Sequence, residues 1–394
     1  MADLHRLRFV AAADVHKASR LAGRLERVEG GTTFTYDDGY LASGCQPIAR
    51  TLPLSPSPVH SPAGSLPPFF TGLLPEGHRL TVLKDAIKTS LNDELSLLLA
   101  VGADVPGDVQ VVPAGEDPAE PEPLADTTDP GQLDFAVLAE AVDLHGLPGV
   151  QDKASASMLT APVALRGHRY ILKLNPPRHP HLVENEALHL AAAKALKIPV
   201  ATATVVRDRN GLAGLLVERF DRVPTATGWS ALPLEDATQV LGLPPAAKYN
   251  VDAETVVTAL AAATKAPAVA TRNLYLQFVF AWLTGNGDLH AKNASVLGPM
   301  GSATVAPVYD VLCTLLYGDG TMALPVSGKL KKLRARHWAG FAQTVGLPER
   351  AATAANRMAL AAAARADLST LPFEGSPLAG TQRELRFRRS ELEP

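Results

Sequence analysis

Hydrophobic positions come in short alternating runs in the first half of the chain and at helical spacing in the second. "RLRFVAAADV" and "TTFTYDDGYL" alternate as strands do. "TLPLSPSPVHSP" is too rich in proline for regular structure. In "LPPFFTGLLPEGHRLTVLKDAIK", Phe69, Phe70, Leu73 and Leu74 form a hydrophobic entry to a helix. "NDELSLLLAVGADVPGDVQVVP" predicts a helix capped by Asn92 and ending near Gly102, then a turn and a strand. Further on, "VALRGHRYILKLN" predicts strands and "HLVENEALHLAAAKALKI" a helix. "ATATVVRDRNGLAGLLVERF" predicts two strands around an Asn210-Gly211 turn. "DAETVVTALAAATKA", "TRNLYLQFVFAWLTGN", "LRARHWAGFAQTVG" and "PERAATAANRMALAAAARADL" all read as helices.

These elements divide the chain into an α+β unit over 1–112, a strand-rich lobe over 132–230 and a mostly helical lobe over 231–394. Residues 113–131, acidic and proline-rich, read as a linker. A strand-rich lobe followed by a helical one, with polar motifs near the junction, predicts a cleft between lobes.

Composition narrows the picture by exclusion. A net charge of −3 gives no overall attraction to nucleic acid or membrane. Cys45 and Cys313 are too few and too far apart for a disulfide framework or a metal-spacing pair, which suits a reducing cytoplasm. The N-terminus has no apolar core of signal-peptide length, and no window approaches the roughly 18 apolar residues of a membrane span. The terminal "RELRFRRSELEP" reads as a solvated basic tail, with DNA phosphates or a protein partner as the alternative contact.

The chemistry begins at "GNGDLHAKN", residues 285–293. The glycines end the apolar helix "LYLQFVFAWL" and set Asp288 on a loop. Asp288 and Asn293 have the spacing of a kinase catalytic loop: a carboxylate to orient or deprotonate an acceptor hydroxyl, then an oxygen ligand for Mg2+. "TVAPVYDVLCT" supplies a second carboxylate, Asp310, at the end of a short strand over Thr304, Val305 and Val308. Upstream, "RYILKLNPP" offers Lys173 to the nucleotide phosphates, and "LVENEALHLAAAKAL" offers Glu186, or Glu184, to pair with it. Gly146, Gly149 and Lys153 in "HGLPGVQDKAS" would form a phosphate-covering loop, although the stretch matches neither common glycine-rich pattern. Each residue alone has a bland reading: a strand-edge lysine, a first-turn glutamate, a packed His290. Their order along the chain is that of a kinase.

With those residues in place, the chain resembles the HipA family of bacterial serine/threonine kinases, toxins of type II toxin–antitoxin modules. The resemblance runs through "FTYDDGYL", "FFTGLLPEGHR", "LPGVQDKAS", "YILKLN", "VENEALHLA", "LLVERFDR", "LEDATQVLGLPPAAKY", "LTGNGDLHAKNASV" and "VAPVYDVL". It implies a two-lobed protein-kinase-like fold with an added N-terminal subdomain. Asp288 is similar to the catalytic aspartate, Asn293 and Asp310 to the Mg2+ ligands, and Lys173 to the phosphate-contacting lysine, with Glu186 beside it. Glu218, Arg219 and Phe220 resemble the hinge that binds adenine through its backbone. Asp221 follows in the same motif, and Gly149, Gln151 and Lys153 match the phosphate-covering loop. His290 joins the nucleotide-side set. The resemblance further implies ATP and Mg2+ as cofactors, a HipB-like helix-turn-helix antitoxin as partner, operator DNA reached through that partner, and an aminoacyl-tRNA synthetase as substrate.

One departure stands out. Family members carry a serine before this loop whose autophosphorylation silences the kinase; the aligned position here is Gly146. Two rival readings remain. A small-molecule phosphotransferase of the aminoglycoside or choline kinase type shares the "GDLHxxN" loop but lacks the first 112 residues and the ERFDR segment. A degenerate kinase fold kept as a scaffold would not need Lys173, Asp288, Asn293 and Asp310 intact.

Overall fold

The computed structural model describes residues 4–118, 125–126, 129–138, 158–165, 168–176, 179–226 and 228–393. Gly146, Gly149, Gln151 and Lys153 lie outside the described residues.

The N-terminal unit is a five-stranded antiparallel sheet in the order β4-β3-β2-β1-β5. Its strands are β1 (Ala12–Lys17), β2 (Arg20–Val28), β3 (Gly31–Tyr36), β4 (Val59–Pro62) and β5 (Val109–Pro113). "RLRFVAAADV" is a 3-10 turn over Leu4–Phe9 followed by β1, not one strand. β2 went unread because its alternation is broken by charges and by Gly23, where a side chain would collide with the backbone of Thr35 at 2.5 Å. "TTFTY" is a strand only to Tyr36; Asp37 then caps a short helix. One face of the sheet carries Val15, Leu25 and Phe34 into a core with Phe70, Leu97 and Leu98. The helix Glu94–Val101 is capped by Asp93 rather than Asn92: the Asp93 carboxylate accepts from the Ser96 N–H at 3.4 Å. Proline divides "LPPFFTGLLPEGHRL" into two helices, Pro68–Gly72 and Gly77–Ile87.

The middle lobe is a second five-stranded sheet, β6-β7-β8-β10-β9, with β6 (Ala125–Asp126), β7 (Leu159–Leu165), β8 (His168–Leu174), β9 (Ala203–Arg207) and β10 (Ala213–Glu218). β6 comes from the acidic stretch and pairs parallel with β7, so that stretch is not entirely a linker. The expected hairpin around Asn210-Gly211 is present, with Gly211 at φ 83°. The helix Leu182–Ala193 packs on β9 and β10 through Val183 and Leu190.

The C-terminal lobe is helical but not purely so. A hairpin, β11 (Arg222–Thr225) with β12 (Gly228–Ala231), leads into a three-stranded sheet of β13 (Leu234–Asp236), β14 (Ser295–Leu297) and β15 (Thr304–Val305). At the centre runs the helix Pro267–Thr284, whose residues from Leu274 to Thr284 are all buried. A helix that is apolar all round must lie in a core, and here the helices Ala253–Ala262 and Glu349–Ala363 cover it. It stops at Gly285, whose φ of 73° suits glycine, and a side chain there would press on Cys313 Sγ at 3.0 Å. The lobes join where Val308 bridges Val200: Ala201 N–H donates to Val308 O at 2.8 Å, and Val308 N–H to Pro199 O at 2.9 Å. Asp310 follows two residues after that bridge.

The basic terminus is a helix, Gly375–Ser390, and not a solvated tail. Arg388 is buried over the Trp282 ring at 3.8 Å and donates to Trp282 O at 3.1 Å and Gly320 O at 2.7 Å. The period of the helix turns this arginine inward while Arg383 and Arg386 face solvent.

Candidate active site

Lys173 sits on β8 and is 9% exposed. Its ammonium donates to Glu186 Oε1 at 2.7 Å and also to Asp310 Oδ1. Glu186 lies on the helix packed behind the sheet, so strand and helix bring the two together. Burial alone would lower the Lys173 ammonium; Asp310 and Glu186 outweigh it and hold it above the ordinary lysine range. Burial pushes the Glu186 carboxyl up, against the pull of Lys173. Glu186, 1% exposed, is thus buried against the lysine. Glu184, the alternative, stands in the first helical turn. Asp310 adopts φ 51°, a left-handed conformation that aspartate tolerates better than most side chains. Its side chain is 37% exposed.

The loop that carries Asp288 and Asn293 is built by its own hydrogen bonds. Asp288 N–H donates to Asn286 Oδ1 at 2.9 Å, and Asn293 Nδ2 donates to Asp288 O at 2.8 Å. The second bond fixes the amide so that Asn293 Oδ1 is its remaining polar atom, an oxygen suited to Mg2+. Tyr249 OH donates to Asp288 Oδ1 at 3.3 Å. Burial, then the Asp288 charge, push the Tyr249 phenol up, so it stays protonated and remains a donor. His290 is packed edge-on against Tyr249, ring centroids 5.1 Å apart, with Nε2 4.0 Å from Asp288 Oδ1. It thus packs beside both Tyr249 and Asp288. Tyr309 ties the two carboxylate segments together: its hydroxyl donates to Lys292 O at 2.8 Å and lies 2.6 Å from Ser295 Oγ.

At the hinge, Glu218 ends β10 and Phe220 packs on Tyr309 at 5.6 Å. Arg219 and Asp221 have side chains with other work. Arg219 donates to Asp104 at 2.6 Å, and Arg222 donates to Asp104 at 2.9 Å and to Gly107 O at 2.9 Å. Asp221 accepts from Gly107 N–H at 2.9 Å and from Arg222 at 2.7 Å. Burial would raise the Asp221 carboxyl, but the two guanidiniums hold it below the usual range. The Arg-Phe-Asp-Arg segment clamps the N-terminal unit to the hinge through its side chains, which leaves the expectation of adenine binding through the backbone untouched. Arginine and aspartate beside a hinge look alike in sequence whether they face a ligand or a neighbouring subdomain.

The donor set fits Mg2+. Among the described residues no cluster of three or more His, Cys, Asp or Glu side chains could hold a metal. A kinase-type Mg2+ needs fewer protein ligands, because nucleotide phosphates and water complete its oxygen shell. One open carboxylate, Asp310, and one oriented amide oxygen, Asn293, are hard ligands of that kind.

Comparisons with known proteins give the family. The HipA N-terminal domain matches residues 13–112, and the HipA-like C-terminal domain matches residues 145–366. The chain belongs to the HipA family. Y4mE of Sinorhizobium fredii, which carries the name of a kinase, is 32% identical over 81% of this chain and 82% of its own length. The serine/threonine-protein kinase toxin HipA of Shewanella oneidensis is 26% identical over 85% of this chain and 83% of its own. In structure, the chain matches the solved complex of Shewanella oneidensis HipA, HipB and operator DNA with a TM-score of 0.77, 22% identity and 96% of each chain covered. That likeness is one of fold, and the fold of this HipA-family chain is the expected α+β, two-lobed, kinase-like one. Among the described residues no helix is long and apolar enough to cross a membrane.

Tyr249, Asn286, Asn185 and the Tyr309 hydroxyl were missed as site residues. Tyr249 and Tyr309 lie inside motifs that carry the resemblance, "PPAAKY" and "PVYDVL", but nothing in spacing points a phenol at Asp288. Asn185 adjoins Glu186 and holds both backbone groups of Cys313, at 2.9 and 3.1 Å, which anchors the segment after Asp310.

Proposed function

We propose that this chain is an Mg-ATP-dependent serine/threonine protein kinase of the HipA toxin type, held in check by a helix-turn-helix antitoxin. The observation that carries this reading is the convergence of Lys173, Glu186 and Asp310 at one end of the cleft, with Asp288 and Asn293 hydrogen-bonded in one loop. The lobes would divide the work as 132–230 for nucleotide and 231–394 for catalysis. The backbone at Glu218–Phe220 binds adenine. Lys173 neutralises phosphate charge. Asn293 and Asp310 would hold Mg2+, which when bound supplies further neutralisation of the transferring phosphoryl group. Asp288, which accepts a hydrogen bond from the Tyr249 phenol, orients the acceptor hydroxyl and accepts its proton.

Naming of the Shewanella oneidensis relative as a serine/threonine kinase toxin supports the acceptor class, and its solved complex with HipB and operator DNA supports the partner. The target is an aminoacyl-tRNA synthetase by the same family reading. The small-molecule phosphotransferase is the competing reading, and the clamp from Arg219, Asp221 and Arg222 to a dedicated N-terminal subdomain favours a macromolecular acceptor. Incubation with radiolabelled Mg-ATP and host lysate labels a protein band of synthetase size. Labelling confined to small molecules selects the competing reading. Expression arrests growth of a host, and Asp288→Ala relieves the arrest; an equally toxic Ala variant overturns the role of this loop. Because Gly146 cannot be phosphorylated, mass spectrometry after Mg-ATP incubation finds no phosphate on residues 140–153.

A further inference from the structure

Lys292 stands between the base and the metal-side asparagine, yet its ammonium turns to the N-terminal subdomain. It donates to Gly72 O at 2.8 Å and lies 3.6 Å from Glu76 Oε1 and 3.7 Å from Asp236 Oδ2. Glu76 also accepts from Lys248 at 2.5 Å. Lys248 is bound to the same loop, since its carbonyl accepts from Ala291 N–H at 3.2 Å, and its neighbour Tyr249 holds Asp288. The approach is close: Gln239 Nε2 donates to Phe69 O at 3.0 Å, and a side chain on Gly72 would strike Gln239 at 2.7 Å. One carboxylate of the N-terminal subdomain therefore lies between two lysines, each attached to one side of the catalytic loop.

We infer that Glu76 is a positioning residue for phosphoryl transfer, and that through Lys248 and Lys292 the N-terminal subdomain sets the place of Asp288. This deepens the kinase reading and rests on it. Two lysines this near the base would repel one another without the shared carboxylate. Releasing either shifts the loop from both ends, through Ala291 and through Tyr249. A displacement of about 1 Å at a reacting group costs on the order of 10²-fold in rate. Glu76 itself touches no reacting atom, so nucleotide binding at Lys173 and the hinge is left alone.

The test uses the full chain and the rate at which it transfers label from radiolabelled Mg-ATP to the host-lysate acceptor, with Mg-ATP affinity measured separately by calorimetry. Wild type and Asp288→Ala bracket the scale. Glu76→Gln keeps the shape and removes the charge; it lowers kcat between about 10- and 100-fold with Mg-ATP affinity within about twofold. Lys292→Met behaves alike, and Lys292→Arg restores part of kcat. Glu76→Asp, one methylene short, falls between, and serves as the second variant should Glu76→Gln fail to fold. A folded Glu76→Gln or Glu76→Asp protein with wild-type kcat overturns the inference while leaving the kinase reading intact. Equal loss of kcat and nucleotide affinity also overturns it, as a general structural defect. If wild type transfers label no faster than Asp288→Ala, the kinase reading itself fails and the inference with it.

Discussion

Lys173 illustrates how a single side chain ties stability to function here. It is buried with Glu186 and also paired with the more open Asp310, and removing one partner of a buried pair leaves an uncompensated charge. Lys173→Met is therefore expected to cost about 3 kcal/mol, the low end of the usual range, because burial already biases Glu186 toward taking up a proton. Urea unfolding measures that loss, and calorimetry should show Mg-ATP binding much weakened in the same variant. His189 makes a second prediction. It is fully buried, with Nδ1 2.8 Å from Asn185 O and Nε2 without a hydrogen-bond partner. Burial pushes its pKa down to about 4. The unfolded histidine takes up a proton near pH 6.5 while the folded one does not, so the unfolded state binds more protons between about 6.5 and 4. Stability from this group is complete above that window and falls as pH drops through it, by at most a few kcal/mol. His189→Gln flattens the slope of melting temperature against pH in this range; an unchanged slope would assign it to other groups.

At the scale of elements, two helices decide where the catalytic loop lies. Pro267–Thr284 delivers it, and Gly375–Ser390 closes the end of that helix. Arg388 and Arg389 both donate to its last carbonyls, at Trp282 and Leu283. Cations at a helix C-terminus satisfy orphan carbonyls and complement the helix dipole. Arg388→Ala loses the ring contact and two carbonyl bonds from a buried site, and is expected to destabilise by about 2–4 kcal/mol. Denaturant titration checks this. A variant as stable as wild type would mean that the terminal helix is only laid against the lobe. Arg383→Ala, on the exposed face, should be near neutral.

For the whole molecule, the question is whether the N-terminal unit is an appendage or a part of the kinase. Asp104 and Asp221 join it to the hinge, Arg50 pairs with Glu235, and Glu76 reaches the loop. Asp221→Ala leaves two arginines, each about 8–9% exposed, to share the single carboxylate of Asp104. Calorimetry of that variant is expected to resolve two melting transitions where wild type gives one. A single transition at the wild-type temperature would show that the hinge clamp does not couple the units.

Much of this was legible from residues alone. The Asp288–Asn293 spacing, Lys173 on a strand, Glu186 on the next helix and Asp310 after a short strand all stand where the order of motifs put them. Each lies in an element whose local pattern is strong: an apolar strand, a helix apolar all round, a glycine stop. The failures share a cause. β2 is half-exposed and charged, so its alternation is faint. The parallel pairing of Ala125–Asp126 with β7 depends on a partner far along the chain. Whether Arg219 faces a nucleotide or Asp104, and whether Arg388 faces water or Trp282, is a matter of packing between segments more than a hundred residues apart.

The sequence by itself determined the class of chemistry, because acid, base and metal-side oxygens must come from particular residue types at particular spacings. It determined also that position 146 offers no hydroxyl, since no fold can give glycine one. Only the tertiary structure decided which charged side chains gather around Lys173 and Asp288 and which hold the units of the fold together. Charge is a property of a residue, but its partner is a property of distance. Glu76, Arg219, Asp221, Lys292 and Arg388 acquired their roles when the chain closed on itself.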